Sequence, residues 1–336
     1  MFGWRAPRPK AGESVPAAAI APDDPVAHDP ERLLRQLEWT VLRRLDGILQ
    51  GNYRTLFRGF GLDFADLREY QLHDDVRHID WNVTARMQAP YVREFQEDRE
   101  VAAWFVLDLS RSLDFGSRRL KKRDLSSALV AVLARLFVRY GNRVGAVLIS
   151  DGASEVVPAR SGRLHVLHLL DRMHKVGTSK ARSIAVTNLA DLIASASPSI
   201  KRRSVVFVVS DFISTPGWGK RLAELARRHE LVAMRVYDPL EVELPNLGMV
   251  LMQDAETGEQ MMVDTHDPGF RRRFVAAADK RETALRAALA NAGVDCLELS
   301  TDEPIDTALL RFTRMRKRRS QLAAGGVPAA VLGQSL

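Results

Sequence analysis

The chain has 336 residues, enough for one large domain or two smaller ones, and its 46% hydrophobic and 27% charged residues are typical of a globular protein. Its single cysteine, Cys296, excludes disulfides within the chain and zinc clusters built from several cysteines. No apolar stretch reaches the roughly 18 to 20 residues needed to cross a bilayer, and residues 1–30 contain no signal-peptide-like run. We therefore expect a cytoplasmic protein without a transmembrane segment.

The net charge of +7 is concentrated in one short segment near the C-terminus. Six basic residues stand there with no acid among them: Arg311, Arg314, Arg316, Lys317, Arg318 and Arg319. Such a cluster could bind RNA, anionic lipid or an acidic partner, but a solvated helix end is the simpler interpretation. Phe312 is the only aromatic residue nearby, so a stacking platform for bases is absent. Nucleic-acid binding is therefore kept only as an alternative.

The predicted elements begin after a leader rich in Pro, Ala and Asp, residues 1–28, which we expect to be disordered. Apolar residues at helical spacing then predict a helix from Asp29-Pro30 to Gly51. Buried strands are predicted at residues 101–108, 144–149, 204–210, 231–236 and 294–299, with a weak strand around 156–157. Helices are predicted at residues 120–140, 164–173, 189–194, 222–229 and 270–292, and a hairpin at residues 249–253 and 260–264.

Strands that alternate with helices need crossover connections, which predicts a mostly parallel sheet with helices on both faces. The corresponding domain division is a leader (1–28), an N-terminal helix and charged segment (29–99), the α/β domain (100–302), and a basic C-terminal helix and tail (303–336).

Carboxylate and hydroxyl residues stand where predicted strands end and where a helix begins. Asp108, Ser110 and Ser112 follow the first strand of the α/β domain, Asp211 follows the strand at 204–210, and Thr187 opens the next predicted helix. Because ligands bind outside the carboxyl ends of parallel strands, we expect these residues to meet. Their hard oxygens suit Mg²⁺, which proteins usually hold with one or two carboxylates. In a metal-free alternative, the hydroxyls would simply cap the following helix.

This order of residues resembles the metal-ion-dependent adhesion site of von Willebrand factor type A domains, over roughly residues 100–300. The resemblance implies a von Willebrand factor A-like (Rossmann-like) α/β fold, and Mg²⁺ as cofactor, with Mn²⁺ or Ca²⁺ as alternatives. It also implies the ligands, which are Asp108, Ser110, Ser112 and Thr187 directly and Asp211 through water. An open position on the ion would receive an acidic group of a protein partner. Thr187 lacks the preceding glycine that is common in the family, and Thr178 and Ser183 are alternative hydroxyls.

Residues 58–70 and 74–86 closely resemble the signature of bacterial "domain of unknown function 58" proteins, which join this segment to a type A domain. His73 stands where the family usually has glycine. The segment mixes arginines and acids densely, so it can form a structural ion-pair network or a docking surface. The resemblance implies a MoxR-type AAA+ ATPase as partner and a role as adaptor or assembly factor.

The sequence therefore predicts a non-enzymatic, metal-dependent protein-binding module. It lacks a Gly-x-Ser-x-Gly elbow, a phosphate-binding loop and a His-Glu-x-x-His motif. A Mg²⁺-dependent phosphohydrolase using Asp108 is the main enzymatic alternative, but Ser110 replaces the second aspartate that serves such phosphatases as general acid. His73, Asp74, His78 and Asp80 are a weaker candidate for a His-Asp metal phosphohydrolase, and His165, His168 and His174 are a weaker candidate for a Zn²⁺ site.

Overall fold

The structure is a computed structural model that describes residues 2–4, 29–37, 41, 67–71, 84, 89–93, 102–117, 120–150, 153–177, 188–254 and 259–323. The strands in these ranges are β1 (Phe2–Trp4), β2 (Leu67–Glu69), β3 (Tyr91–Arg93), β4 (Ala102–Asp108), β5 (Arg143–Ser150), β6 (Ala153–Arg160), β7 (Val205–Ser210), β8 (Glu230–Tyr237), β9 (Met249–Asp254), β10 (Gln260–Asp264) and β11 (Asp295–Ser300). The helices are α1 (Pro30–Leu37), α2 (Lys122–Arg139), α3 (Arg163–Gly177), α4 (Leu189–Ala196), α5 (Trp218–Ala226), α6 (Pro268–Ala292) and α7 (Ile305–Ala323).

The central sheet has six strands in the order β11-β8-β7-β4-β5-β6. Every neighbouring pair is parallel except β5 and β6, which are antiparallel at one edge. Successive side chains of a strand point to opposite faces of the sheet, and helices cover both faces here. The inner strands β4 and β7 are therefore almost continuous apolar runs. The predicted fold class, a mostly parallel α/β sheet with helices on both faces, is confirmed.

Alternate residues of the inner strands supply two separate cores. Phe105 and Leu107 of β4 face the layer that contains α1, α2, α3 and α7. Trp104 and Val106 face α4, α5 and α6. In the first core the Phe105 and Phe207 rings stack with centroids 5.2 Å apart. The sheet is therefore fixed from both sides, which holds the carboxyl ends of its strands in place.

Most predicted elements are present with boundaries shifted by a few residues. The predicted first helix is seen at Pro30–Leu37, and its continuation to Gly51 lies outside the described residues except for position 41. The weak strand around 156–157 is an eight-residue edge strand, β6. Of the predicted leader, Phe2–Trp4 are described, and they pair antiparallel with β9.

The other described parts of the chain are a small β2–β3 pair and the predicted hairpin of β9 and β10. Most of the signature segment 58–86 and the tail 324–336 lie outside the described residues. The predicted domain boundaries therefore stay predictions. None of the described helices is both long and apolar enough to span a membrane.

Candidate functional site

The site lies where β4 and β7 end side by side. The parallel register pairs Leu107 with Val209, so Asp108 at the end of β4 lies beside Ser210 at the end of β7. The Ser210 hydroxyl donates a hydrogen bond to Asp108 Oδ2 at 2.8 Å. Asp108, Ser110, Ser112 and Asp211 are each buried, with at most 6% of their surface exposed. The fold thus brings together four of the five predicted metal-site residues.

The turn after β4 directs two hydroxyls toward each other. The Ser110 backbone N–H donates to Asp108 Oδ1 at 3.0 Å, and the Ser110 and Ser112 Oγ atoms lie 3.0 Å apart within hydrogen-bonding distance. Ser110 immediately precedes a short 3₁₀ turn, Arg111–Asp114, but its side chain makes no capping hydrogen bond. The Ser110 hydroxyl therefore does not cap the following helical turn, and whether the turn binds a metal stays a prediction.

Arg123, near the start of α2, fixes this turn from the protein interior. Its Nη2 atom donates to the carbonyl oxygens of Leu109 at 3.2 Å and Ser110 at 3.0 Å. Its Nε atom donates to Asp114 Oδ1 at 2.5 Å. Because both ends of the turn are held by one largely buried guanidinium, the hydroxyls of Ser110 and Ser112 have a defined position before any ligand binds.

The neighbouring residue, Lys122, has no exposed surface and carries a charge into the site. Its ammonium donates to Asp211 Oδ2 at 2.8 Å and to Glu241 Oε1 at 2.6 Å. Burial alone would lower the pKa of Lys122, but the attraction of the two carboxylates outweighs it and raises the pKa above its usual value. Lys122 is therefore a permanently charged bridge between the end of β7 and the turn after β8.

The segment after β7 is locally strained. Phe212 has a left-handed backbone with φ of 57°, which costs a non-glycine residue about 1 to 2 kcal/mol. This bend lets Asp211 Oδ1 accept a hydrogen bond from the Ile213 backbone N–H at 3.0 Å, and the Phe212 ring packs against Trp218 with centroids 5.3 Å apart. Strain of this kind often accompanies functional sites, and here it fixes the direction of the Asp211 carboxylate.

The electrostatics of the site favour a cation. Burial and then the nearby Asp211 raise the pKa of Asp108, and hydrogen bonds from Ser110 and Ser210 oppose that rise only in part. Burial also raises the pKa of Glu241; Lys122 opposes this rise and Asp211 adds to it. Lys122 bonds only Asp211 and Glu241, so Asp108, Asp211 and Glu241 together carry more negative charge than this one ammonium neutralises when all are ionised. A divalent cation would supply that charge.

The donor geometry fits a small, hard cation. Cis ligands of an octahedral Mg²⁺ with bonds of about 2.0 to 2.1 Å lie roughly 2.9 Å apart, close to the 3.0 Å between the Ser110 and Ser112 hydroxyls. The residues that could hold the ion directly are Asp108, Ser110 and Ser112. The Lys122 ammonium is bonded to Asp211 Oδ2 and would repel a cation there, so Asp211 suits an indirect role. No described group of three or more His, Cys, Asp or Glu residues is arranged for a metal, so a site here depends on the hydroxyls.

The fifth predicted ligand, Thr187, lies outside the described residues, as do Thr178 and Ser183. Its successor Asn188 caps α4 by accepting a hydrogen bond from the Ala190 N–H. The Leu189 N–H donates to Ser214 Oγ at 2.9 Å, so the first turn of α4 lies beside the segment that follows Asp211. The role of Thr187 as a ligand stays a prediction.

The alternative sites find less support in the structure. Of the two histidine groups, residues 73, 74, 78 and 80 lie outside the described ranges, and His165 uses its Nε2 atom in a 2.8 Å hydrogen bond with the Val144 carbonyl. Half of the basic cluster is neutralised by acids from other elements: Arg311 pairs with Glu303, Arg316 with Glu230 and Asp295, and Arg319 with Asp295. This pairing leaves less free charge for nucleic acid.

Sequence reasoning missed Lys122, Arg123, Ser210 and Glu241 as site residues. A signal existed for Lys122, because it precedes Leu125 and Leu129 by three and seven residues and so continues the apolar stripe of α2. No sequence pattern linked it to Glu241, which is far away along the chain.

Lys122→Met tests the buried ion-pair network. Methionine fills a similar volume but leaves Asp211 and Glu241 buried without their cation, so we expect the free energy of unfolding to fall by about 3 to 5 kcal/mol. The matched control is Lys121→Met, since Lys121 is the exposed neighbour and should change stability by less than about 0.5 kcal/mol. Urea unfolding measures both, and equal losses in the two variants would contradict the assignment.

Three comparisons relate this chain to known proteins. An uncharacterized protein of Mycobacterium tuberculosis (strain H37Rv) is 38% identical over 286 residues, which covers 85% of this chain and 89% of the relative. Among solved structures, an aerotolerance-related membrane protein from Bacteroides fragilis matches with a TM-score of 0.41 and 13% identity, over 65% of this chain and 99% of that chain.

The von Willebrand factor A domain of SpRpn10 matches with a TM-score of 0.35 and 10% identity, over 63% of this chain and 94% of that chain. Both TM-scores are below 0.5, so neither similarity indicates a shared function. The model of the family described as "Protein of unknown function DUF58" matches residues 66–284. The family match and the mycobacterial relative together show that this chain belongs to the DUF58 family.

Proposed function

We propose that this protein is a non-enzymatic, metal-dependent protein-binding module. In this proposal Mg²⁺ is held by Asp108, Ser110, Ser112 and Thr187, with Asp211 acting through water, and it receives an acidic group of a protein partner. The observation that carries the proposal is the convergence of the buried Asp108 carboxylate with two hydroxyls 3.0 Å apart, in a cluster with excess negative charge.

Lys122 limits the number of carboxylates that can bind the metal ion directly, and so leaves the ion able to bind a carboxylate of the partner. Because the Lys122 ammonium binds Asp211 and Glu241, Asp108 is the one carboxylate of this cluster that remains available to an ion as a direct ligand. Each Asp108 oxygen accepts one hydrogen bond and keeps a second lone pair. A Mg²⁺ ion with one direct carboxylate and neutral hydroxyls would retain positive charge, and such an ion attracts an acidic ligand.

Catalysis is not part of the proposal, because the described residues around Asp108 offer no proton-transfer group suited to phosphate-ester hydrolysis. Ser110 cannot act as a general acid at neutral pH, and Lys122 is held between two carboxylates. The partner class remains the one implied by the family resemblance, a MoxR-type AAA+ ATPase. In that arrangement the ATPase would supply energy and this chain would supply adaptor contacts.

Metal binding is tested with Asp108→Asn. We expect Mg²⁺ at about 100 times its dissociation constant to stabilise the wild-type protein by about 2.7 kcal/mol, measured by thermal unfolding and calorimetric titration. Asp108→Asn should abolish this response, yet be no less stable than the wild type in chelator, because it removes one uncompensated buried charge.

The control for that experiment is Asp279→Asn, an exposed change of the same chemistry on α6 that should keep the full Mg²⁺ response. A wild-type protein with no response to Mg²⁺, or a response that survives Asp108→Asn, would contradict the assigned site.

Partner recognition is tested by recovering bound proteins from the native lysate with Mg²⁺, with chelator, and with the Asp108→Asn variant. We expect a protein partner to be recovered with wild type in Mg²⁺ and to be depleted at least about tenfold in the other two samples, as for loss of a central contact. Recovery of the same partners in all three samples would show that the metal does not bridge them.

A further inference from the structure

The exposed apolar residues of this chain are concentrated in one place. Among the described residues, ten large apolar side chains are strongly exposed, and six of them fall within residues 242–262: Val242, Leu247, Met249, Leu251, Met261 and Met262. Single exposed apolar residues are common on soluble proteins, so the relevant question is which of these six share one face.

The hairpin of β9 and β10 is apolar on both faces. On the inner face, Val250, Met252 and Val263 are buried and belong to a small core with Leu244, to which α6 contributes Phe270 and Phe274. On the outer face, Leu251 lies opposite Met262 in the antiparallel register, and the two side chains are 45% and 57% exposed. An outward sheet face is ordinarily polar, so the folding core does not explain these side chains.

The hairpin also differs from the rest of the chain in charge. Residues 236–270 contain eight acidic residues and no lysine or arginine, although Asp238 is buried, Glu241 pairs with Lys122, and Arg271, Arg272 and Arg273 follow directly. Three of these acids, Glu243, Glu259 and Asp264, are exposed in and beside the hairpin. The segment therefore combines an apolar outer face with a negative rim.

We propose that the outer face of the hairpin, formed by Met249, Leu251 and Met262, is a docking surface for a basic amphipathic helix of a partner protein. Leucine and flexible methionine side chains adapt to the apolar stripe of such a helix, while the acidic rim attracts its positive charges. The same negative charge disfavours nucleic acid and anionic membranes. This surface is separate from the metal site, whose proposed ligand is acidic.

A second copy of this chain is a poor occupant, although its helix α7 is basic. The apolar residues of α7, Ile305, Leu309 and Phe312, are buried in the core of their own chain and cannot serve as the apolar stripe. The basic helix α7 is therefore excluded as the occupant, and the proposal commits to a helix of a different protein.

The test uses the full chain and a synthetic amphipathic peptide of about 18 residues, with leucine along one helical face and lysine elsewhere. Fluorescence anisotropy should show salt-sensitive binding to wild type. Leu251→Ser combined with Met262→Ser should weaken binding at least about tenfold. The matched control combines Leu164→Ser with Met315→Ser, exposed residues on α3 and α7 whose loss should leave affinity within about twofold.

Two further peptides separate charge from shape. A version with glutamate in place of lysine should not bind, and a version of identical composition with scattered leucines should bind at least about tenfold more weakly. Because Leu251 and Met262 are exposed, the double variant should keep the wild-type unfolding midpoint, which shows that it folds. The proposal would be overturned if the lysine and glutamate peptides bound equally, or if the two double variants lost equal affinity. It would also be overturned if the chain dimerised with increasing concentration and the hairpin variant abolished that dimerisation.

Discussion

A single buried ammonium, that of Lys122, holds together the parts of the fold that meet at the candidate site. It joins the first residue of α2 to Asp211 after β7 and to Glu241 in the turn after β8. Burying such a group costs several kcal/mol, so it is tolerated only because both carboxylates are present at hydrogen-bonding distance. Removing Lys122 would leave two buried carboxylates without their counter-ion, whereas removing either carboxylate would leave Lys122 with one partner.

The network continues beyond Lys122 and Glu241 through a further buried carboxylate, that of Asp238. Asp238 accepts hydrogen bonds from the hydroxyls of Ser117 and Thr301 and from the Leu240 N–H, and it forms a capping box with Glu241. The turn after β8 is thereby fixed to the segment after β4 and to the end of β11. The carboxyl edge of the sheet is rigid before a ligand arrives, as a recognition site requires. As proposed, the metal site and the hairpin surface would bind partner groups of opposite charge.

The sequence was sufficient to predict the sheet and part of the site, for a physical reason. Strands buried on both faces are continuous apolar runs, and the parallel arrangement places Asp108 and Asp211 at one edge. The buried role of Lys122 was missed because residues 121–123 form a short basic run that is typical of a solvated surface. Its partner Glu241 and the acids that neutralise the C-terminal arginines come from distant elements, and local pattern carries no information about such pairing.

The central claim is that a divalent cation belongs between Asp108 and the hydroxyls of Ser110 and Ser112. The most direct measurement is anomalous X-ray diffraction from crystals of the full chain grown with Mn²⁺, a cation that shares the oxygen ligands of Mg²⁺ and scatters anomalously. The account predicts an anomalous peak within about 2.0 to 2.3 Å of oxygens from these three residues, and no peak there in crystals of Asp108→Asn. An absent peak at saturating Mn²⁺, or one held by other residues, would contradict it.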